Sequence, residues 1–342
     1  MAQGRIGWID RARGLGMALV VVGHAAGGLI DSPLGAGQAG LRWLFFAIYL
    51  FHMPLFFLLS GLLVTERIAT DRSGFLRGLL PGVVWPYFLW STVQFSVIVA
   101  MGSLVNRPAG AWLPTLLALP WRTVSQFWFL YALFWMHLLA GLLLPRVGKG
   151  VVLALGIGLK LLVAFVPVDV TIKLVANNFV WYALGAALGT GGVDRALARG
   201  RGGSRAMGGL AVAVLAGTLG FAIHTAGAGF ALNSSPELAN LAWRLGAIPA
   251  ALAGVWLVLK LAASGLASGW AGAAAAALGR RTMAVFVLHV LFIAGLRIVL
   301  VRLGWAGGAW PLMVPLVGAG IAGPLVVERL LRPLGLRRVL GF

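Results

Sequence analysis

Residues 11–24, RARGLGMALVVVGH, begin with two nearby arginines and end with a histidine inside an apolar run. An α-helix turns by about 100° per residue, so the eleven steps from Arg13 to His24 bring both side chains to one face, about 20° apart. Asp10 lies within about 40° of His24 on the same helical wheel. The stretch therefore predicts a first membrane helix that carries an acid, a cation and an imidazole in one column.

The composition indicates a chain that is solvated by lipid. Hydrophobic residues make up 61% of the sequence and charged residues 10%, with a mean hydropathy of +0.97, whereas soluble domains contain about 25% charged residues. No polar linker or internal repeat divides the sequence, so we predict a single membrane domain over residues 1–342. Because the chain has no cysteine, it has no thioester intermediate of its own, no disulfide and no thiolate metal site.

Ten apolar segments are close to the length of about 20 residues that crosses a bilayer. Most of the 27 Lys and Arg residues fall in alternate loops on the side of the N-terminus, as is typical of cytoplasmic loops. The sequence therefore predicts an all-α, polytopic integral membrane protein with about ten transmembrane helices and both termini cytoplasmic, in a bacterial cytoplasmic membrane. The predicted segments are 14–30, 43–64, 82–101, 124–144, 150–167, 173–190, 206–226, 241–262, 282–303 and 310–328.

Three of the five histidines share one predicted depth in the membrane. His24, His52 and His289 each lie nine or ten residues inside a predicted span, which is about 15 Å. Ionisable side chains at this depth are costly in hydrocarbon and are usually functional. Each could instead be a structural tether that bonds a neighbouring helix.

Several motifs, in this order, resemble the membrane acyltransferase-3 family, especially its fucose 4-O-acetylase-like branch. The resemblance implies about ten spanning helices and the transfer of an acyl group, usually acetyl, from a coenzyme A thioester to a hydroxyl of a glycan or other polyol. It covers almost the whole chain. The motifs are IDRARG followed by VVVGH, then FHMPLFFLLSG, PYFLW, WFLYAL and LGRRTMAVFVLH.

His24 is the first catalytic candidate. Acyl transfer needs a base that takes the proton of the acceptor hydroxyl, and a neutral imidazole, whose ordinary pKa is near 6.5, can do so at neutral pH. The resemblance implies the same role, because the family's Arg and His pattern falls on Arg13 and His24. A transient acyl-histidine is an open alternative. Asp10 is the second catalytic candidate, and it either orients Arg13 or the site or caps the helix N-terminus.

Donor and acceptor contacts complete the predicted site. Arg13 and Arg77 would bind the phosphates of coenzyme A, although the second arginine that relatives often have after Arg77 is replaced here by GLLPGVV. The candidates for lining the acceptor site are His52, His289, Ser60 and Trp128. We predict no metal site and no permanently bound cofactor, with acetyl-CoA or another acyl-CoA as co-substrate.

The predicted partners are therefore acyl-CoA, a glycan or polyol acceptor and the lipid bilayer. The net charge of +19 suits anionic lipid headgroups rather than nucleic acid, because the cations are spread between the spans. A homodimer is compatible with the sequence. The alternative function is a proton-coupled transporter or flippase for a glycan or lipid-linked sugar, in which the histidines relay protons.

Overall fold

The computed structural model describes residues 7–35, 37–106, 110–198, 201–226, 237–264 and 269–342. Within these ranges the chain is helical and contains no β-strand. Helices satisfy every backbone N–H and C=O within one segment, which is what an apolar chain in hydrocarbon requires. The predicted all-α class is confirmed.

The described residues form thirteen α-helices, and one π-helical turn (Leu80–Val84) joins the third to the fourth. They are α1 (Gly7–Ile30), α2 (Ala39–Leu62), α3 (Val64–Leu79), α4 (Trp85–Met101), α5 (Trp112–Ala118), α6 (Trp128–Phe165), α7 (Val170–Ala198), α8 (Arg201–Ala226), α9 (Glu237–Ala263), α10 (Trp270–Gly279), α11 (Thr282–Arg302), α12 (Ala309–Leu331) and α13 (Arg337–Leu340).

Every one of the ten predicted segments overlaps a helix of the structure. By length and hydropathy, six runs of the described chain are candidate membrane spans, so the protein is a multi-pass membrane protein. The count of ten spans and the cytoplasmic termini stay predictions. The six runs are Gly7–Ile30, Ala39–Leu62, Val64–Leu104, Ser125–Phe165, Thr282–Arg302 and Ala309–Leu331.

Helix α6 contains two of the predicted segments. Its 38 residues extend over about 57 Å, nearly twice the hydrocarbon thickness of a bilayer. The helix is interrupted at Gly148, whose φ of 75° and ψ of 172° are accessible essentially to glycine alone. The interruption leaves two halves of about 30 Å and 26 Å, each close to the length of one span.

Four helices of the described chain have no counterpart among the predicted segments: α3, α5, α10 and α13. α5 has seven residues and α13 has four, which is too short for a span. α10 has the sequence WAGAAAAALG, and its alanines favour a helix, but its ten residues are too few to cross a bilayer. α3 carries several charged residues and is therefore too polar to match the pattern of a span.

The chain forms two compact units, each assembled from separate stretches of sequence. The first unit comprises Met1–Phe56, Gly191–Ile293 and Gly304–Ala322, and the second comprises Phe57–Thr190, Ala294–Leu303 and Gly323–Phe342.

Helix α1 forms the centre of the first unit and packs against α10 with its backbone. A Cβ atom on Gly14 would lie 1.8 Å from the carbonyl oxygen of Ala275, and one on Gly279 would lie 1.8 Å from the carbonyl oxygen of Asp10. Each of these contacts needs a glycine, because any side chain would overlap the facing backbone. The two glycines therefore set the distance between α1 and α10.

The second unit contains a similar contact between the end of α2 and α7. A Cβ atom on Gly61 would lie 2.1 Å from the carbonyl oxygen of Tyr182, and one on Gly185 would lie 2.2 Å from that of Leu58. Small residues thus bring this pair of helices together as well.

Candidate active site

The structure brings His24 of α1 and His289 of α11 into direct ring contact in the first unit. Their ring centroids are 4.9 Å apart and the ring planes meet at 65°. His289 is completely buried, whereas His24 retains a partly exposed surface. His24 is therefore the more exposed of the two rings.

Hydrogen bonds to its own helix fix the tautomer of His289. Its Nδ1 lies 3.0 Å from the carbonyl oxygen of Val285 and 2.8 Å from that of Phe286. Since a carbonyl can only accept, Nδ1 carries the hydrogen and Nε2 of the neutral ring has a free lone pair. Within the described part of the chain this buried Nε2 has no hydrogen-bond partner. A buried acceptor without a partner is uncommon in proteins, and a catalytic role is one explanation for it.

His52 is held in the same way on α2. Its Nδ1 donates to the carbonyl oxygen of Ile48 over 2.9 Å, so Nε2 of its neutral ring is again an acceptor. The side chain is 2% exposed, and its ring packs against that of Tyr49, with 4.5 Å between the ring centroids.

Tyr49 links the histidines and is absent from the residues that the sequence predicted. Its ring centroid lies 6.3 Å from that of His24 and 3.8 Å from that of Phe45, on which it stacks. The signal in the sequence is the spacing of Phe45, Tyr49 and His52, which repeats at four and three residues and so places all three on one face of α2. We call His24, Tyr49, His52 and His289 the histidine cluster.

Two glycines beside His24 allow α1 to approach this face of α2. A Cβ atom on Gly23 would lie 3.1 Å from the ring of Tyr49, and one on Gly27 would lie 2.9 Å from the ring of Phe45. Larger residues at these positions would push the aromatic rings away. The local sequence VVGHAAGG thus explains how an imidazole and a tyrosine ring come close between two helices.

The acidic end of the predicted column lies far from the cluster. Asp10 is in the first turn of α1 and is 7% exposed, and its Oδ2 lies 4.0 Å from Nη1 of Arg280. Fourteen residues of helix place it about 21 Å from His24, so it does not touch that ring. Any part that Asp10 takes in catalysis would be one of positioning, and Arg280 is a partner that the sequence did not predict.

Arg13 lies on the same helix, partly exposed, about 16 Å from His24 along the axis. Between them Met17 is 1% exposed and Val20 is 5% exposed. This strip of α1 is therefore packed against protein, and Arg13 and His24 are its two accessible ends.

The other predicted site residues belong to the second unit. Arg77 is exposed near the end of α3, where its Nε donates to the carbonyl oxygen of Ser73 over 3.3 Å. Ser60 is half-buried next to Gly61, at the contact of α2 with α7. Trp128 begins α6 and packs against Phe57, with 6.1 Å between the ring centroids.

The described residues contain no group of three or more His, Asp or Glu side chains arranged to hold a metal ion. The histidine cluster instead combines neutral acceptor nitrogens with aromatic rings. Such a set can hold a hydroxyl and accept its proton.

Comparison with known proteins tests the family that the motifs indicate. The family described as an acyltransferase domain, acyltransferase 3, matches residues 6–329. The nodulation protein NolL of Mesorhizobium japonicum (strain LMG 29417 / CECT 9101 / MAFF 303099) is 32% identical over 187 residues, which cover 52% of this chain and 46% of NolL. The chain thus matches about half the length of this curated relative, and no solved structure matches it. Because the family match runs from α1 to the end of α12, the chain belongs to the acyltransferase-3 family of membrane proteins.

Proposed function

We propose that this protein is an integral membrane O-acyltransferase, which moves an acyl group, in the first instance acetyl, from acyl-CoA to a hydroxyl of a sugar, glycan or polyol. The observation that carries the proposal is the contact between His24, which is partly exposed, and His289, which is buried with an unpartnered acceptor nitrogen. The family supplies the reaction class. The histidine cluster supplies a base for it.

His24 would act on the acceptor hydroxyl. As the acceptor oxygen attacks the thioester carbonyl carbon, His24 takes the hydroxyl proton. The C–S bond then breaks, and the departing coenzyme A thiolate receives that proton, so that His24 returns to its neutral form. In the alternative route His24 attacks first, releases the thiolate and passes the acyl group to the acceptor oxygen, whose proton goes to the thiolate. Both routes use the lone pair on the unprotonated ring nitrogen of His24.

His289 would be a positioning residue. Its Nδ1–H is engaged by the carbonyl oxygens of α11, so its free Nε2 can accept the N–H of a neighbouring imidazole. An acceptor beside His24 favours the tautomer in which the other nitrogen of His24 keeps its lone pair for the substrate. His52 and Tyr49 would contact the acceptor at the other side of the His24 ring.

Arg13 would bind the phosphates of the donor. In an extended chain of about 13 bonds, at about 1.25 Å each, the pantetheine arm spans about 16 Å from diphosphate to sulfur. This length equals the separation of Arg13 from His24 along α1, about 16 Å. Met17 and Val20 are buried against protein. The pantetheine arm would therefore run beside these two side chains and not over them. The role of Arg77 as a second cation for the donor stays a prediction from the sequence.

The topology belongs to the same proposal. About ten spans with both termini cytoplasmic, in a bacterial cytoplasmic membrane, would place Arg13 and Arg77 at the face where acyl-CoA is made. His24 would then lie near the bilayer midplane.

The test is acyl transfer by the purified protein in lipid nanodiscs, with acetyl-radiolabelled coenzyme A and a panel of sugars and polyols. His24→Asn is expected to lower transfer by about a hundredfold or more, since a positioned base contributes about 10²–10⁴. The matched control His137→Asn removes a histidine of the second unit and is expected to stay within about threefold of the wild type. If no acceptor takes the label while proteoliposomes accumulate a sugar in response to a proton gradient, the protein is a transporter and the proposal is wrong.

A further inference from the structure

The second unit contains a cavity of about 720 Å³. None of the residues that take part in the proposed acyl transfer lines it. It is lined by the loop before α6, both halves of α6, and the start of α7 with the loop that precedes it. Its volume is in the range of small-molecule sites in proteins.

The mouth of the cavity is polar and carries balanced charge. Arg122 and Asp169 are exposed there, one cation and one carboxylate, next to Trp121, which is 61% exposed. One oxygen of Asp169 accepts the backbone N–H of Thr171 over 2.8 Å, which leaves the other oxygen for a ligand. The hydroxyl of Tyr131 donates to the carbonyl oxygen of Pro120 over 3.3 Å.

A buried hydroxyl lines the same cavity. Thr171 is 3% exposed, and in the part of the chain that the structure describes its Oγ1 has no hydrogen-bond partner. A buried hydroxyl usually has a partner in the protein or in a ligand. The unpartnered hydroxyl of Thr171 therefore indicates a ligand with a polar atom that reaches this hydroxyl inside the cavity.

The interior of the cavity is apolar. Leu139, Leu159, Val175 and Phe179 line it, and along α6 the lining from Tyr131 to Leu139 covers about 12 Å. An extended alkyl chain advances about 1.25 Å per bond, so a chain of about ten carbons would fill this length.

We propose that this cavity binds an amphiphile with an uncharged, polyhydroxylated head, such as a glycolipid. Its alkyl chain lies along α6 and α7, and its head lies between Trp121, Arg122 and Asp169. A carboxylate and a guanidinium together accept from and donate to sugar hydroxyls, and the flat face of a tryptophan can cover a sugar ring. An anionic phosphate head could pair with Arg122, but it would leave Asp169 facing a like charge without a donor, whereas hydroxyls satisfy both groups.

The site is tested by direct binding, without an acyl donor, so its failure is distinct from failure of the proposed function. The full-length protein in phospholipid nanodiscs is labelled with decyl maltoside that carries a diazirine in the alkyl chain, and the labelled peptides are mapped by mass spectrometry. We expect labelling of residues 131–139 and 172–179. Unlabelled decyl maltoside should compete, and decyl phosphate, with the same chain and an anionic head, should compete at least tenfold more weakly.

Three variants locate the site. Thr171→Val removes the hydroxyl at constant shape and should weaken labelling about three- to tenfold, the contribution of one hydrogen bond. Ile172→Trp narrows the cavity at a residue that is 58% exposed and should abolish labelling of these peptides. The matched control Leu188→Trp, at a residue of the same helix that is 43% exposed and outside the cavity, should leave it unchanged. Equal labelling in all three variants, or equal competition by the two amphiphiles, would overturn the proposal.

Discussion

Replacing Gly14 by alanine tests the packing that holds His24 near His289. The new Cβ atom would lie 1.8 Å from the carbonyl oxygen of Ala275, whereas an ordinary contact of these atoms is about 3.2 Å. Because the obstacle is backbone, it cannot rotate away, and α1 would have to move from α10 by about 1.4 Å. Overpacking of this kind costs about 3 kcal/mol.

The displacement also reaches the histidine cluster. α11, which carries His289, follows α10 after two residues, so a movement of α1 away from α10 changes the contact between His24 and His289. A misplacement of about 1 Å at a catalytic group can cost about a hundredfold in rate. Gly14→Ala should therefore lower both the unfolding temperature and the rate of acyl transfer.

The assay compares the unfolding temperatures of purified variants in detergent, followed by tryptophan fluorescence. With about 2–4 °C per kcal/mol for a unit of this size, Gly14→Ala should unfold about 6–12 °C below the wild type. The matched control is Gly28→Ala on the same helix, where a Cβ atom would meet nothing within 4 Å. The control should be unchanged or slightly stabilised, since alanine favours a helix over glycine by about 1 kcal/mol. If both variants unfold within about 2 °C of the wild type, the contact between α1 and α10 is wrong.

The remaining predictions concern the chemistry. Lowering the pH should reduce kcat/KM about tenfold per pH unit once His24 takes up a proton, because only the neutral imidazole is a base; a kcat/KM that rises as the pH falls would speak against it. His289→Phe, which keeps a ring and removes the unpartnered Nε2, should lower kcat at least about tenfold while raising the unfolding temperature; loss of both activity and stability would mean a purely structural role. Arg13→Lys should raise KM for acyl-CoA about tenfold with little change in kcat, because the bidentate phosphate contact is lost, whereas Arg302→Lys should change neither value.

The sequence allowed the helices to be predicted, together with the grouping of three histidines as candidates for one site, because both follow from spacing along each helix. Periodicity located the helices that hold His24, His52 and His289, and the regular rise of a helix placed the three at one depth. The motif order indicated the family that the match over residues 6–329 shows.

Features that depend on contacts between distant segments could not be predicted in this way. Tyr49 meets His24 only because glycines of α1 let two helices approach, and nothing in the spacing of one helix shows its neighbour. Arg280 meets Asp10 across the interface of α1 and α10. The break at Gly148 requires a backbone conformation that composition does not reveal.

The most direct test of the role of His24 is chemical rescue of His24→Ala by free imidazole in the acyl-transfer assay. We predict that the variant loses at least about a hundredfold in rate, and that added imidazole restores part of it in proportion to the concentration of the neutral form. A variant that transfers the acyl group at nearly the rate of the wild type without imidazole would contradict the account.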